Sequence, residues 1–406
     1  MKHRIELLSP AGDLARAKIA IRYGADAVYL GGKKFSLRSR ASNFDIEDIA
    51  EAVRYANEYG AHIHVTVNII PHEEDFEGLE EYLKTLESIG VTAIIVASPS
   101  IIKLAKRVAP KLEVHLSTQM SSTNLACVKL YERWGVDRVV LARECSMEQI
   151  RHICKNTELP IEAFVHGAMC ANFSGRCTLS NAMTLRDANR GGCAQSCRWK
   201  YHLMDKDEMI SEPEHPFSMS SKDLLAFEHV YDMMKANVAS LKIEGRMKSG
   251  YYIATVIKTY RMLIDELERT DAPLSPQRVA YYANEFTKAE NRPTCYGFLD
   301  HEPDEKDHLY GINGAGVTHD FLAVVLEDTN AQGWTKIEVR NRFAKGEIME
   351  VFGPSIDNEQ FVVEEIRDTD GMILDLCNKP MTTVWVKCPF EMKAEDMIRR
   401  GVRHDC

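Results

Sequence analysis

Four cysteines, Cys170, Cys177, Cys193 and Cys197, fall within a 28-residue window and are separated by six, fifteen and three residues. Thiolates gathered in one loop are how a protein of a reducing compartment holds a metal centre. Soft sulfur ligands suit either tetrahedral zinc or a 4Fe-4S cluster. Zinc ribbons and knuckles pair cysteines two to four residues apart, and here only the second pair is that close, so the spacing favours the cluster. Disulfides would be the alternative use of the four. The opening MKHRIELLSPAGDL has no signal-peptide character, however, and a reducing, cytoplasmic setting is expected. The other seven cysteines (Cys127, Cys145, Cys154, Cys295, Cys377, Cys388 and Cys406) read as small core residues.

The chain of 406 residues carries a net charge of -10, which argues against indiscriminate nucleic-acid binding. The cysteine window is locally basic, with Arg176, Arg186, Arg190, Arg198 and Lys200 against the single acid Asp187 between Cys170 and Lys200. Two readings stay open for this charge. It compensates the thiolates of a cluster, or it docks an anionic substrate or RNA. No apolar run approaches the length of a membrane span, so no membrane partner is expected.

The elements that must position these residues alternate regularly. Strand candidates are residues 5–8, 27–30, 62–68, 93–96, 113–117, 138–141, 161–165 and 240–243, and amphipathic segments such as DIEDIAEAVRYANEYG and SGYYIATVIKTYRMLIDEL lie between and after them. Eight such units most simply close into a TIM-like (β/α)8 barrel, an α/β fold, here over residues 1–270 with the cysteine loop at 166–200. Active sites of such barrels lie at the C-terminal ends of the strands. Polar residues expected there are Ser9, Asn68, Ser98, His115, Ser117, Thr118, Gln119, Arg143, Glu144, His166, Lys242, Glu244 and Arg246. Each also has a plainer use, since a His or Asn at a strand end often caps a loop or satisfies buried backbone. The cysteine loop follows the seventh strand, which puts the thiols at the same mouth.

Residues 271–315 read as a linker with a connecting helix. From 316 to 406 short runs rich in β-branched and aromatic residues, such as FLAVVLED, KIEVRNRF and TVWVKC, predict a small antiparallel β-barrel domain. Its cations Arg340, Arg342, Lys345 and Lys387 are balanced by many acids.

The stretch EAFVHGAMCANFSGRCTLS, from Glu162 to Ser180, resembles the signature of peptidase family U32, in which Glu and Phe precede Gly, Cys, Gly, Cys and Ser. The opening ELLSPAGDLARAKIAIRYGADAVYLGG, the HLSTQMSSTN run and LKIEGRMKSGYYIATVIKTYR resemble the family as well, so the likeness spans roughly residues 4–262. The C-terminal segment is similar to the tail of the family's tRNA-hydroxylation branch.

The family name implies proteolysis, yet the chain has no HExxH or GxSxG motif and no compelling Cys–His pair. The resemblance to the RNA branches implies something else: oxygen-independent hydroxylation of RNA, with a 4Fe-4S cluster and prephenate as co-substrate. It would form 5-hydroxyuridine at the tRNA wobble position, and a relative hydroxylates a 23S rRNA cytidine. Cys170, Cys177, Cys193 and Cys197 fall on the cysteine pattern of those branches rather than on that of the ubiquinone-hydroxylation proteins. On this reading Lys242 and Arg246, with Arg176 or Arg198, hold the prephenate carboxylates, because guanidinium forks pair well with such groups. Asn68, His115 and Gln119 contact substrate, Glu244 and His166 transfer protons, and an electron donor serves the cluster. Two other readings remain: a genuine peptidase, and a scaffold that binds RNA or a partner without catalysis.

Overall fold

The computed structural model describes residues 4–37, 43–214, 216–289, 292–309 and 319–401. Its first part is a closed parallel barrel of eight strands: β1 (Glu6–Pro10), β2 (Ala27–Gly31), β3 (His62–Val67), β4 (Ala93–Val96), β5 (Glu113–Leu116), β6 (Arg138–Val140), β7 (Ile161–Ala168) and β8 (Ser240–Ile243). Each strand pairs with the next, and β8 closes the ring between β7 and β1 through Ser240, which lies opposite both Glu162 and Glu6. The α/β barrel expected from the sequence is the fold observed.

Helices follow the strands as the polar punctuation dictates. Asp13, Asp45, Asn124 and Ser249 cap α1 (Leu14–Arg22), α2 (Ile46–Tyr59), α5 (Leu125–Arg133) and α9 (Gly250–Thr270), while Ser146 and Gln149 form a capping box at α6 (Met147–Lys155). Each cap satisfies a backbone N–H that the first helical turn leaves unpaired. The ring is completed by α3 (Leu79–Ser88), α4 (Pro99–Val108), the short α7 (Leu179–Thr184) and α8 (Val230–Lys235), and α10 (Pro276–Thr287) packs its buried Tyr282 and Phe286 alongside α9.

The lower half of the barrel interior is charged. Arg138 donates to Glu6 Oε1 at 2.6 Å and to Glu162 Oε2 at 3.1 Å, and Lys242 Nζ donates to Glu162 Oε1 at 2.6 Å. Two carboxylates thus meet two cations, and His64 and His115 stack edge to face beside them. Burial pulls His64 down to about 4 against the opposing pull of Glu6, and burial likewise drives His115 well below its ordinary value. Both rings are therefore neutral near pH 7, which keeps the buried charges balanced.

The upper end of β7 departs from strict alternation. Between Lys242 and Ile243 of β8 the pairing slips from Phe164 to His166 of β7, a bulge that adds one residue to β7. A slip of one residue sends a side chain to the opposite face. His166 accordingly points out of the barrel and packs among Tyr252, Tyr260 and Phe286 of α9 and α10, where burial holds its pKa at about 3. The expectation that His166 transfers protons at the mouth is corrected here, because period-2 counting cannot see a bulge.

Residues 271–309 hold α10 and two short strands besides linking turns: Thr294–Cys295 pairs with Asp223–Leu225, and His308–Leu309 pairs with Ser220–Ser221. The expected boundary at 315/316 lies outside the described residues. Beyond it, β9 (Phe321–Glu327), β10 (Trp334–Val339), β11 (Ile348–Gly353), β12 (Ile356–Val362), β13 (Thr383–Lys387) and β14 (Met397–Arg400) form an antiparallel sheet in the order β12-β11-β14-β9-β10-β13, extended by the short strands Ile366–Arg367 and Ile373–Leu374. The antiparallel β domain is as expected. Among the described residues its two end strands do not pair with each other, so hydrogen bonds do not close it into a barrel. It docks on the side of the main barrel: Tyr251 of α9 stacks on Phe321, and Lys288 and Arg399 share the buried Glu350.

Three buried neutral histidines make the fold acid-sensitive. An unfolded histidine takes up a proton near pH 6.5, whereas His64, His115 and His166 resist protonation until far lower pH. Stability is therefore lost as pH falls below about 6.5. His166→Phe removes one of these groups while keeping a ring, so in urea titrations at pH 7.5 and 5.5 the wild type should lose about 1 kcal/mol more stability than the variant. Equal losses would contradict the buried, neutral assignment of His166.

Candidate active site at the barrel mouth

The cysteine loop leaves the end of β7 and lies across three barrel loops. Arg190 reaches Asp75 Oδ2 at 2.7 Å and Glu74 beyond β3. Ser121 donates to the Ser174 carbonyl at 2.5 Å, and Ser174 in turn donates its backbone N–H to Glu144 Oε1 at 2.9 Å. At Gly175 φ is +74°, and a Cβ there would run into the carbonyl oxygen of Gln119. Only glycine allows this approach.

The loop carries the four thiols. Cys197 is pushed up by burial, relieved by Arg198, and pushed up further by repulsion from Cys170, Cys193 and Cys177, so it lies within electrostatic range of all three. All four are free thiols, and the Asn172 amide donates to Cys177 Sγ at 3.4 Å. Among the described residues no three His, Cys, Asp or Glu side chains converge on a single point as one metal ion requires. Four soft thiols on one loop, one of them accepting an amide N–H, are a donor set of the kind an iron-sulfur cluster takes. Of the other cysteines, Cys145, Cys377 and Cys388 are buried and Cys127, Cys154 and Cys295 half-buried, while Cys406 lies outside the described residues.

Beneath the loop, Glu244 follows β8. Its Oε2 is 3.4 Å from the Tyr29 hydroxyl, which donates to it, and 3.6 Å from Arg143, whose guanidinium lies 3.9 Å above the ring of Phe164. A Cβ at Gly167 would meet the backbone of Glu244, so the end of β7 and the start of this loop are locked together.

Asp223, which the sequence reading missed, lies on the short strand antiparallel to the end of β7. It is buried, which raises its carboxyl above the ordinary range. Arg198, Lys248 and Arg143 oppose that rise and Glu244 adds to it. Asp223 Oδ1 and Arg198 Nη1 are both buried without a hydrogen-bond partner. Opposite polar atoms left unpaired in a buried setting mark a place where a ligand atom or ordered water belongs. No sequence pattern marks Asp223, because its strand is three residues long and lies between β7 and β8 outside the barrel repeat.

The remaining expected residues are placed as follows. Arg198 is at the mouth, where its Nη2 donates to the Met169 carbonyl at 3.1 Å. Arg176 is exposed on the loop and bonded to Ser121. Gln119 lies under Gly175 through its backbone. Asn68 accepts the Leu37 N–H at 3.1 Å and so holds the loop after β2. His115 is inside the lower barrel, 2.9 Å from Glu113. Lys242 is held by Glu162 and lies 4.4 Å from the Tyr29 ring centre. Arg246 is buried, bonded to the Ser36 hydroxyl at 3.1 Å, the Leu37 carbonyl at 3.0 Å and Asn43 at 2.7 Å. The mouth therefore gathers Glu244, Arg198, Arg143 and Asp223 with the thiols, while Lys242 and Arg246 serve the barrel wall and the loop after β2.

The model of peptidase family U32 matches residues 12–309, and that of the U32 C-terminal domain matches residues 317–399. The chain belongs to peptidase family U32. Among its relatives, the tRNA hydroxylation protein P1 of Bacillus subtilis is 45% identical over 401 residues, covering 98% of this chain and 94% of the relative. The tRNA hydroxylation protein P of Escherichia coli is 32% identical, covering 96% and 94%. The 23S rRNA 5-hydroxycytidine C2501 synthase of the same organism is 42% identical over 272 residues, covering 66% of this chain and 41% of the relative. Of this family member, no helix among the described residues is long and apolar enough to cross a membrane.

The loop's docking on Gln119 gives a direct test. Gly175→Ala combines a left-handed backbone with a clash against backbone, so the loop should lift from the mouth. In metal-free protein, a thiol reagent should modify the four loop cysteines several-fold faster than in the wild type. Unchanged rates would contradict the packing described.

Proposed function

We propose that this chain is the iron-sulfur component of an oxygen-independent RNA hydroxylase that forms 5-hydroxyuridine at the tRNA wobble position with prephenate as co-substrate. The observation that carries the reading is the presence, at one barrel mouth, of a four-thiol loop with the buried Asp223, Glu244 and the guanidinium groups of Arg143 and Arg198, in a chain whose near-full-length relatives are named for tRNA hydroxylation. Cys170, Cys177, Cys193 and Cys197 are the residues that would hold a 4Fe-4S cluster, which when bound supplies one-electron transfer.

The chain's own groups divide the remaining work. Arg198 and Arg143, with Lys248 nearby, face the carboxylates of a bound dianion, a role Lys242 and Arg246 are less able to fill because Glu162 and the loop after β2 engage them. Asp223, whose carboxyl burial raises, and Glu244, whose Oε2 lies between Tyr29 and Arg143, are the groups that would move a proton. A pyrimidine of the RNA must leave its stack to reach these groups. Action on tRNA places the protein in the cytoplasm, and a redox cluster calls for an electron donor as partner.

Mass spectrometry of nucleosides from a deletion strain tests this. A hydroxylated pyrimidine of tRNA should disappear, return with the wild-type gene, stay absent with Cys170→Ala, and fall at least about 100-fold in rate with Asp223→Asn if that group moves a proton. Unchanged nucleosides, with any paralogue also removed, would contradict the proposal and restore the peptidase reading.

A further inference from the structure

After the single helical turn Ser196–Arg198 the chain becomes extended at Trp199 and runs on through Lys200 to Tyr201. In an extended chain, residues two apart share a face. Trp199 and Tyr201 accordingly stand on one side, their ring centres 6.5 Å apart and their planes tilted by 30°. Rings standing side by side in this way offer faces on which a base can stack, a contact every base can make through its own π-face.

The pair is held in place rather than loosely displayed. Tyr201 exchanges both backbone hydrogen bonds with Phe217, at 2.7 and 2.8 Å, and its hydroxyl donates to the Ser196 carbonyl at 2.6 Å. Trp199 donates its backbone N–H to the same carbonyl at 3.1 Å, yet the residue is 44% exposed. An indole this open is not serving a core. The platform also adjoins the cysteine loop, since the Ser196 carbonyl that holds both residues is next to Cys197 in the chain. Lys200, between the two rings in sequence, is exposed and brings positive charge to a platform for an anionic chain. Beyond Tyr201 a short hairpin, Met204–Asp205 paired with Glu208–Met209, carries Asp205, Asp207 and Glu208 against the single Lys206, which would repel phosphates and confine an RNA strand to the two rings.

We propose that Trp199 and Tyr201 form a base-stacking site that receives an unstacked base of the RNA substrate at the edge of the cysteine loop. The proposal rests on the RNA reading above and assigns the residues that admit the strand. Base stacking on an aromatic ring contributes about 1–3 kcal/mol, or about 5- to 150-fold in affinity.

The test is equilibrium binding of unmodified tRNA transcript to the full-length protein at fixed salt, with nucleoside analysis of cells carrying each variant. Trp199→Ala and Tyr201→Ala should each weaken binding by about 5-fold or more. Trp199→Phe and Tyr201→Phe, which keep a ring, should stay within a few-fold of wild type. Alanine variants that bind RNA as tightly as the wild type would overturn the stacking site, as would phenylalanine variants as weak as the alanine ones. If RNA hydroxylation in cells is intact while both alanine variants bind normally, the stacking site alone has failed. If the wild type neither binds RNA nor alters nucleosides, the functional reading itself has failed, and the stacking site with it.

Discussion

The ion-pair network of Arg138, Glu6, Glu162 and Lys242 is the interaction on which the rest of the molecule depends. It ties together β6, β1, β7 and β8, the strands that close the ring. Ser240 adds a 2.7 Å hydrogen bond to Glu6 from the closing strand itself. Charges taken from water are costly to bury, and removing one member of such a set typically costs about 3–5 kcal/mol because its partner is left uncompensated. The arrangement ties the strands that close the ring to one another through charged side chains inside the barrel. With the lower half of β7 pinned by Glu162, the extra residue above it has to bulge. The bulge sends His166 outward, while Gly167 meets the backbone of Glu244. The position of Glu244 at the mouth is in this sense set from the floor of the barrel.

Much of this architecture was legible in the sequence because it rests on local regularities. Apolar runs and capping residues located all eight barrel strands to within a few residues, and the spacing of the cysteines singled out the loop that covers the mouth. What escaped has a physical reason in each case. The bulge at His166 arises from pairing with β8, about 75 residues away, and leaves no local trace. Asp223 belongs to a strand too short to show a period. Arg246 looks like a ligand-binding cation in the run KIEGR. Whether it faces a substrate or its own chain depends on the loop containing Ser36, Leu37 and Asn43, which no periodicity predicts. Lys242 differs in kind: its partner Glu162 was part of the quoted motif, but only three-dimensional register reveals that the two share the barrel interior.

Among the described residues the C-terminal sheet packs against the side of the barrel. Its contacts run along α1, α9 and α10, where Tyr23 donates to the Glu395 carbonyl at 2.9 Å and Glu350 gathers Lys288 and Arg399. α9 thus packs Tyr252 and Tyr260 against the barrel and Tyr251 against the second domain. Such a domain braces the helix that backs β7 and β8, and through it the strands that carry the cysteine loop and Glu244. The division of labour is clear in the chemistry. The side of the barrel holds aromatic packing and paired charge, and the mouth holds free thiols, a buried acid and unpaired polar atoms.

The central claim is that the four thiols of the loop hold one iron-sulfur centre beside Asp223 and Glu244. The most direct measurement is the iron and sulfide content, with the visible absorption, of protein purified without oxygen, for the wild type and for serine at each of the four cysteines in turn. The account predicts about four irons and four sulfides per chain with broad visible absorption, lost in the serine variants and unaffected by Cys388→Ser. A wild-type protein that carries a single zinc, or that keeps its iron when Cys193 or Cys197 is replaced, would contradict it.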